Sequence, residues 1–142
     1  MNIAIYQYHR SDTRSQDINQ SGEHLILSAV TMCKDKAIEL FGMGHRYYQY
    51  IDTDNKMVQS DCMKGAYVRP KLEELLVDIN EGKVDTLVVT YMGAVASDYN
   101  FIIAFYIYLK QHNVKLVTVR EGEGINDMME KALEEFKKNA NL

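Results

Sequence analysis

The chain lacks the sequence features that mark secreted, membrane-spanning and metal-binding proteins. None of its apolar runs approaches the roughly 20 residues that cross a bilayer, and its first residues carry neither the basic segment nor the cleavage site of a signal peptide. Its two cysteines, Cys33 and Cys62, form no CxxC or Cys/His spacing, which indicates reduced structural thiols and no metal site. These absences predict a cytoplasmic protein without a membrane segment.

Phosphate-binding fingerprints and basic clusters are also absent. The glycine segments GMGH and GEGIN match neither the GxGxxG pattern nor a loop that ends in Gly-Lys-Ser/Thr. No run of five or more basic residues occurs, and the formal net charge is −4. Domains that bind DNA alone concentrate positive charge, because it displaces counterions from the phosphates. We therefore expect no cofactor, and only contact with DNA that is weak or made through a partner.

What the sequence does contain is an alternation of strand and helix patterns over 142 residues, a length typical of one domain. The clearest helix follows Pro70, with an apolar stripe at Leu72, Leu75, Leu76 and Ile79. The patterns predict strands at 2–8, 47–51, 85–92 and 115–119, helices at 21–41, 70–81, 99–111 and 125–138, and a long loop at 53–68. Strands separated by helices pair in parallel, so we predict one α/β domain. It has a mainly parallel sheet of about four strands with helices on both faces.

The order of these segments resembles a known family. The stretch RPKLEELLVDINEGKVDTLVV, a helix, and then QHNVKLVTVREG resemble the catalytic domain of the serine recombinases, the resolvase/invertase family. A weaker likeness extends to IAIYQYHRSDTRSQDI at the N-terminus. The resemblance implies a three-layer resolvase-like fold. It also implies that a serine hydroxyl attacks a DNA phosphodiester without a metal, while arginines neutralise the charge that develops on the phosphate.

The resemblance places four candidate catalytic residues. Tyr8 and Arg10 stand where the family has its first arginine and its serine, and Ser11 lies one residue late. Ser11 is the nucleophile only if the loop carries a one-residue shift. Asp52 matches an acidic position, and Arg69 matches the arginine before proline. The implied site is therefore Arg10, Ser11, Asp52 and Arg69.

The remaining phosphate-binding positions differ from the family pattern. Gly93, Ala94 and Ser97 occupy the positions of Asp-Arg-x-x-Arg after the third strand. Loss of one preorganised donor costs on the order of a hundred- to a thousandfold in rate. We therefore expect negligible strand cleavage, and the hypothesis is a catalytically degenerate domain. The sequence leaves enzymatic activity itself open.

The expected role is regulatory or accessory, in a mobile element and through protein association. The family continues into a long helix and a DNA-binding domain, whereas the sequence given ends after a short helix, so we expect no such domain here. Apolar residues on that helix favour a homodimer or a partner protein, namely Ile125, Met128, Met129 and Leu133.

Two other functions stay open. One is an active serine recombinase or DNA strand-cleaving domain that uses Ser11. The other is a flavodoxin-like protein that binds a small ligand at the loop 91–100. The candidate residues also have structural interpretations, because Ser11 fits a turn and Arg69 can pair with Glu73 four residues later.

Overall fold

The structure is a computed structural model that describes residues 1–9, 22–53 and 69–140, with only the backbone of 22–26. Within these ranges no helix has both the length and the apolar character that a bilayer span requires. The elements in chain order are β1 (Asn2–His9), α1 (Gly22–Phe41), β2 (Arg46–Thr53), α2 (Pro70–Asn80), β3 (Thr86–Val89), α3 (Tyr99–Gln111), β4 (Lys115–Thr118) and α4 (Ile125–Ala140).

The four strands form one parallel sheet in the order β2-β1-β3-β4. β1 and β3 are central, and all four residues of β3 are buried because the sheet is covered on both faces. The predicted α/β fold with a parallel sheet of four strands is confirmed. The predicted loop 53–68 lies outside the described residues apart from Thr53, which belongs to β2.

Helices cover both faces of the sheet, three on one side and one on the other. Successive strand residues point to opposite faces, so Ile3 and Ile5 join one core while Ala4 and Tyr6 join the other. Helices α2, α3 and α4 pack on the face of Ala4 and Tyr6, and α1 packs on the opposite face. Cys33 of α1 is fully buried there, and burial raises the pKa of its thiol to about 12.

The strand order fixes where a ligand can reach the sheet. The chain leaves β1 toward β2 by way of α1, and it returns from β2 across β1 to β3 by way of α2 on the other face. The helices that follow β1 and β3, α1 and α3, therefore lie on opposite faces. In open parallel sheets this divergence creates a crevice at the carboxyl ends of the two strands.

Strand β3 is shorter than the predicted strand 85–92 because the chain turns at once. A 3-10 turn covers Met92–Ala94, with the Ala94 N–H donating to the Tyr91 carbonyl at 3.0 Å. The Val95 N–H donates to the Met92 carbonyl at 3.0 Å. This turn brings the backbone of 91–95 back toward the crevice between β1 and β3.

Candidate functional site

Asp52, near the end of β2, is buried and accepts three hydrogen bonds at the edge of the sheet. The Tyr6 hydroxyl donates to its Oδ2 at 2.9 Å, and the backbone N–H groups of Lys71 and Leu72 donate at 2.9 and 3.0 Å. These two N–H groups belong to the first turn of α2, where the residue preceding the helix, Arg69, makes no side-chain cap. Asp52 therefore caps α2 from a neighbouring strand, and its negative charge lies at the positive end of the helix dipole.

Tyr6 is held in its protonated form by this arrangement. Burial raises the pKa of its hydroxyl well above the ordinary value, and the Asp52 carboxylate raises the pKa further because it accepts the proton in a hydrogen bond. The guanidinium of Arg69 lies close enough to lower the pKa in part. Tyr6 is consequently a hydrogen-bond donor at physiological pH, and it joins Asp52 to β1.

The guanidinium of Arg69 is engaged by its neighbours. Its Cζ lies 4.0 Å from the centroid of the Tyr8 ring, which is a cation–π contact. Its Nη1 donates a hydrogen bond to the carbonyl oxygen of Val95, in the turn after β3. The described side chains form no ion pair between Arg69 and Glu73. Arg69 thus joins the start of α2 to β1 and to the turn after β3.

The turn after β3 is buried at one of the three positions where the family pattern has charged side chains. A Cβ atom at Gly93 would lie 2.6 Å from Cε2 of Tyr91, whose ring folds over it. Ala94 is 3% exposed, so an arginine there would have to open the turn or bury its charge. Ser97 is exposed. Val95 and Ala96 are buried as well, whereas six of the ten residues of the loop 91–100 are exposed.

Two of the four predicted site residues come together in the structure. Asp52 and Arg69 both lie beside the Tyr6 hydroxyl. Arg10 and Ser11 lie outside the described residues. Within the described part of the chain no group of three or more His, Cys, Asp or Glu side chains could hold a metal ion.

Sequence reasoning missed three partners in this site. The Tyr8 ring was identified only as a replacement for an arginine, although an aromatic residue at the end of a central strand is a natural surface for the cation predicted nearby. The N–H groups of α2 and the Val95 carbonyl had no signal in the sequence, because backbone groups are the same at every residue. The Val95 carbonyl accepts from Nη1 of Arg69, and the Tyr8 ring contacts the face of the guanidinium.

Comparison with known proteins gives a family match and several similar structures. Residues 44–140 match the family model described as the resolvase N-terminal domain. The fold is similar to the N-terminal catalytic domain of TP901-1 integrase, with 16% identity, 100% of both chains covered and a TM-score of 0.64. It is also similar to a resolvase family site-specific recombinase from Streptococcus pneumoniae, with 16% identity, 99% of this chain and 91% of that chain covered, and a TM-score of 0.65.

A third similar structure is the C-terminal catalytic domain of ISC1926 TnpA, an IS607-like serine recombinase. It has 12% identity, with 99% of this chain and 84% of that chain covered and a TM-score of 0.55. At these identities the likenesses show a shared fold. No curated protein matches the sequence.

Proposed function

Because the chain belongs to the resolvase family, as the match of residues 44–140 shows, we propose that it is a serine-recombinase domain that has lost strand cleavage and acts through protein association. The observation that carries the proposal is that uncharged residues, Tyr8, Ala94 and Ser97, stand at the other arginine positions of the family pattern. The guanidinium that remains, that of Arg69, contacts the Tyr8 ring with its face and donates from Nη1 to the Val95 carbonyl.

The small number of positive side chains at the carboxyl ends of β1 and β3 supports this proposal. Cleavage of a phosphodiester by a serine requires fixed positive groups around the phosphate. Tyr8 stands at one arginine position, and Ala94 and Ser97 stand at two others, so Arg69 is the cation that remains of the pattern in the described residues. Each missing donor costs on the order of a hundred- to a thousandfold in rate, although losses within one site do not add.

The second part of the proposal is a regulatory or accessory role in a mobile element. The net charge of −4 disfavours tight binding to DNA by this domain alone. Three of the four apolar residues that suggested a dimer through the final helix, Ile125, Met129 and Leu133, are buried in the core of their own domain. Only Met128 of that set is exposed. Association therefore requires a different surface.

A covalent-adduct assay tests the loss of cleavage. Purified protein is incubated with a pool of labelled DNA duplexes, supercoiled plasmid and nicked duplexes, and is then denatured in detergent. We expect no covalent protein–DNA adduct, with a cleaving relative as the positive control. An adduct that disappears in Ser11→Ala and persists in Ser15→Ala, a matched change in the same segment, would refute the proposal.

One observation favours the second candidate, an active recombinase that uses Ser11. Asp52 and Arg69 lie together around the Tyr6 hydroxyl, which is the convergence that an inherited catalytic site requires. The hydrogen bonds of Asp52 with the α2 backbone give that residue a structural role that needs no reaction. The adduct assay separates the two candidates.

A further inference from the structure

Strand β2 is a long edge of the sheet with no pairing partner on its outer side among the described residues. All eight of its residues, Arg46–Thr53, are in register with β1 on the inner side, without a bulge. In the described ranges it pairs with β1 alone. Every second residue of such a strand presents its N–H and C=O groups outward, where another strand can bind them.

The opposite edge of the sheet is protected. Strand β4 has only four residues, and the turn after it folds back onto its outer side. The Thr118 N–H donates to the Gly122 carbonyl at 3.2 Å, and the Gly122 N–H donates to the Thr118 carbonyl at 2.8 Å. A charged side chain, Lys115, begins the strand. Short length, a covering turn and an edge lysine are devices that prevent pairing between sheets.

Strand β2 is twice as long as β4, and no described turn covers its outer side. An exposed charge, Arg46, stands only at its start, and apolar surface lies beside the strand. It contains no proline, and its acidic residue, Asp52, is turned inward to α2. Tyr48 is 41% exposed. The ammonium of Lys34, on α1, lies 5.7 Å from the centroid of the Tyr47 ring of β2. The side of α1 that carries Lys34 therefore faces the β2 edge of the sheet.

The same flank of α1 carries two exposed apolar residues. Leu27 lies seven residues before Lys34 and Ile38 lies four after it, spacings that place all three on one side of the helix. Leu27 is 64% exposed and Ile38 is 37% exposed. An open edge flanked by apolar side chains is the kind of surface to which an extended strand binds.

We propose that β2 pairs antiparallel with β2 of a second copy, so that the two sheets become one continuous sheet of eight strands. This inference rests on the proposed function, because it names the surface of the association invoked there. A two-fold axis perpendicular to the sheet keeps α1 of both copies on the same face. Residues that oppose each other must then point to the same face of the sheet. Because faces alternate along a strand, the allowed registers are those in which one residue lies opposite its own copy on the two-fold axis.

The register centred on Gln49 places residues of the same face opposite each other throughout 46–52. Tyr48 faces Tyr50, Tyr47 faces Ile51, and Arg46 faces Asp52, while Gln49 faces itself across the axis. Aromatic, aromatic–aliphatic and oppositely charged pairs stabilise neighbouring antiparallel strands. Asp52 keeps its hydrogen bonds to α2. Its carboxylate therefore attracts Arg46 of the second copy without forming a direct ion pair with it. The self-complementary sequence makes a second copy the favoured occupant.

This dimer has a consequence for the candidate site. The two-fold axis reverses the direction of the strands, so the carboxyl edges of the two sheets, each with its Arg69, point in opposite directions. The two sites therefore do not face one DNA segment together, which agrees with a domain that associates without cleaving.

A cysteine cross-link tests the register directly. In an antiparallel pair the Cα atoms of opposed residues lie about 4.5–5.5 Å apart, within the range of a disulfide. We expect Gln49→Cys, in a Cys62→Ser background, to form a disulfide-linked dimer under mild oxidation. Arg46→Cys, in the same strand and background, is the matched control, since six residues of offset separate its two copies by about 20 Å. No cross-link at 49, or equal cross-linking at 46, would overturn the register.

Light scattering tests the surface itself. We expect wild-type protein to have twice the 16.4 kDa mass of the chain at high micromolar concentration. Gln49→Lys places two lysines opposite each other and should raise the dissociation constant roughly tenfold or more. Tyr48→Lys is a second edge variant, and circular dichroism checks that both variants fold. Met128→Lys, on the exposed side of α4, should leave the dimer intact.

The outcomes separate this inference from the proposed function. A monomeric wild type, or a dimer that Met128→Lys dissociates and Gln49→Lys does not, overturns pairing through β2 and leaves the adduct result unchanged. An adduct that depends on Ser11 overturns the proposed function and leaves the dimer measurement unchanged. A dimer that is lost in both edge variants supports the inference.

Discussion

Replacement of Asp52 should destabilise the protein more than replacement of any exposed acidic residue. Its carboxylate is 3% exposed and accepts hydrogen bonds from the Tyr6 hydroxyl and from the Lys71 and Leu72 N–H groups, at 2.9, 2.9 and 3.0 Å. Asp52→Ala removes all three acceptor contacts and leaves three donors without a partner. The change acts on β1, β2 and α2 at once, because each contributes to the contact.

The structure allows the size of this effect to be worked out. Loss of a helix cap costs about 1–2 kcal/mol, and a buried hydroxyl left without a partner costs about 1–3 kcal/mol. We expect Asp52→Ala to lower the free energy of unfolding by about 3–5 kcal/mol, a large share of the roughly 5–15 kcal/mol of a typical domain. Asp52→Asn keeps one acceptor oxygen and should cost about half as much.

Urea unfolding followed by circular dichroism measures these values, with Tyr6→Phe as the partner in a double-mutant cycle. Asp52→Ala should cost about 1–2 kcal/mol less in the Tyr6→Phe background, because the hydroxyl that it would strand is already gone. Glu74→Ala, a change at an exposed carboxylate that pairs with Lys71, is the control and should have little effect. A cost below about 1 kcal/mol for Asp52→Ala would refute the assignment of Asp52 as a structural cap.

The remaining predictions concern Arg69 and the titration of Tyr6. Arg69→Met should lower the free energy of unfolding, measured in urea, by about 1–3 kcal/mol. In a Tyr8→Leu background the same change should cost about 1 kcal/mol less, because the cation–π contact is already absent. Equal costs in the two backgrounds would contradict this prediction. Stability should fall above about pH 10, because unfolded Tyr6 ionises near its ordinary pKa while folded Tyr6 stays protonated. Between pH 9 and 11, Tyr6→Phe should remove about 1.4 kcal/mol of this fall in total, and a fall equal to that of the wild type would speak against the raised pKa.

Arg69 makes its contacts with residues of two other segments, β1 and the turn after β3. The Tyr8 ring contacts the Arg69 guanidinium, and Ala94 and Val95 are buried in the turn after β3. Arg69 then donates to the Val95 carbonyl. Arg69 therefore links the end of β1 to the turn after β3.

The sequence alone determined the elements, their order and the family. Helix and strand patterns are local, so the stripe Leu72, Leu75 and Ile79 predicts α2 without knowledge of its neighbours, and all three residues are buried as that pattern requires. The order of strands and helices predicted a parallel sheet, which the structure confirms. The resemblance likewise depended on linear spacing, and the match of residues 44–140 confirms it.

The tertiary structure decided which groups meet. Asp52 and the α2 backbone are about 20 residues apart in sequence, and Arg69 and Val95 are 26 apart, so no local pattern records either contact. An apolar helical stripe is also the same whether it covers its own sheet or a partner, which is why α4 suggested a dimer surface and instead packs inward. Side-chain type and periodicity are properties of the chain, whereas pairing, burial and open edges depend on how distant segments are brought together.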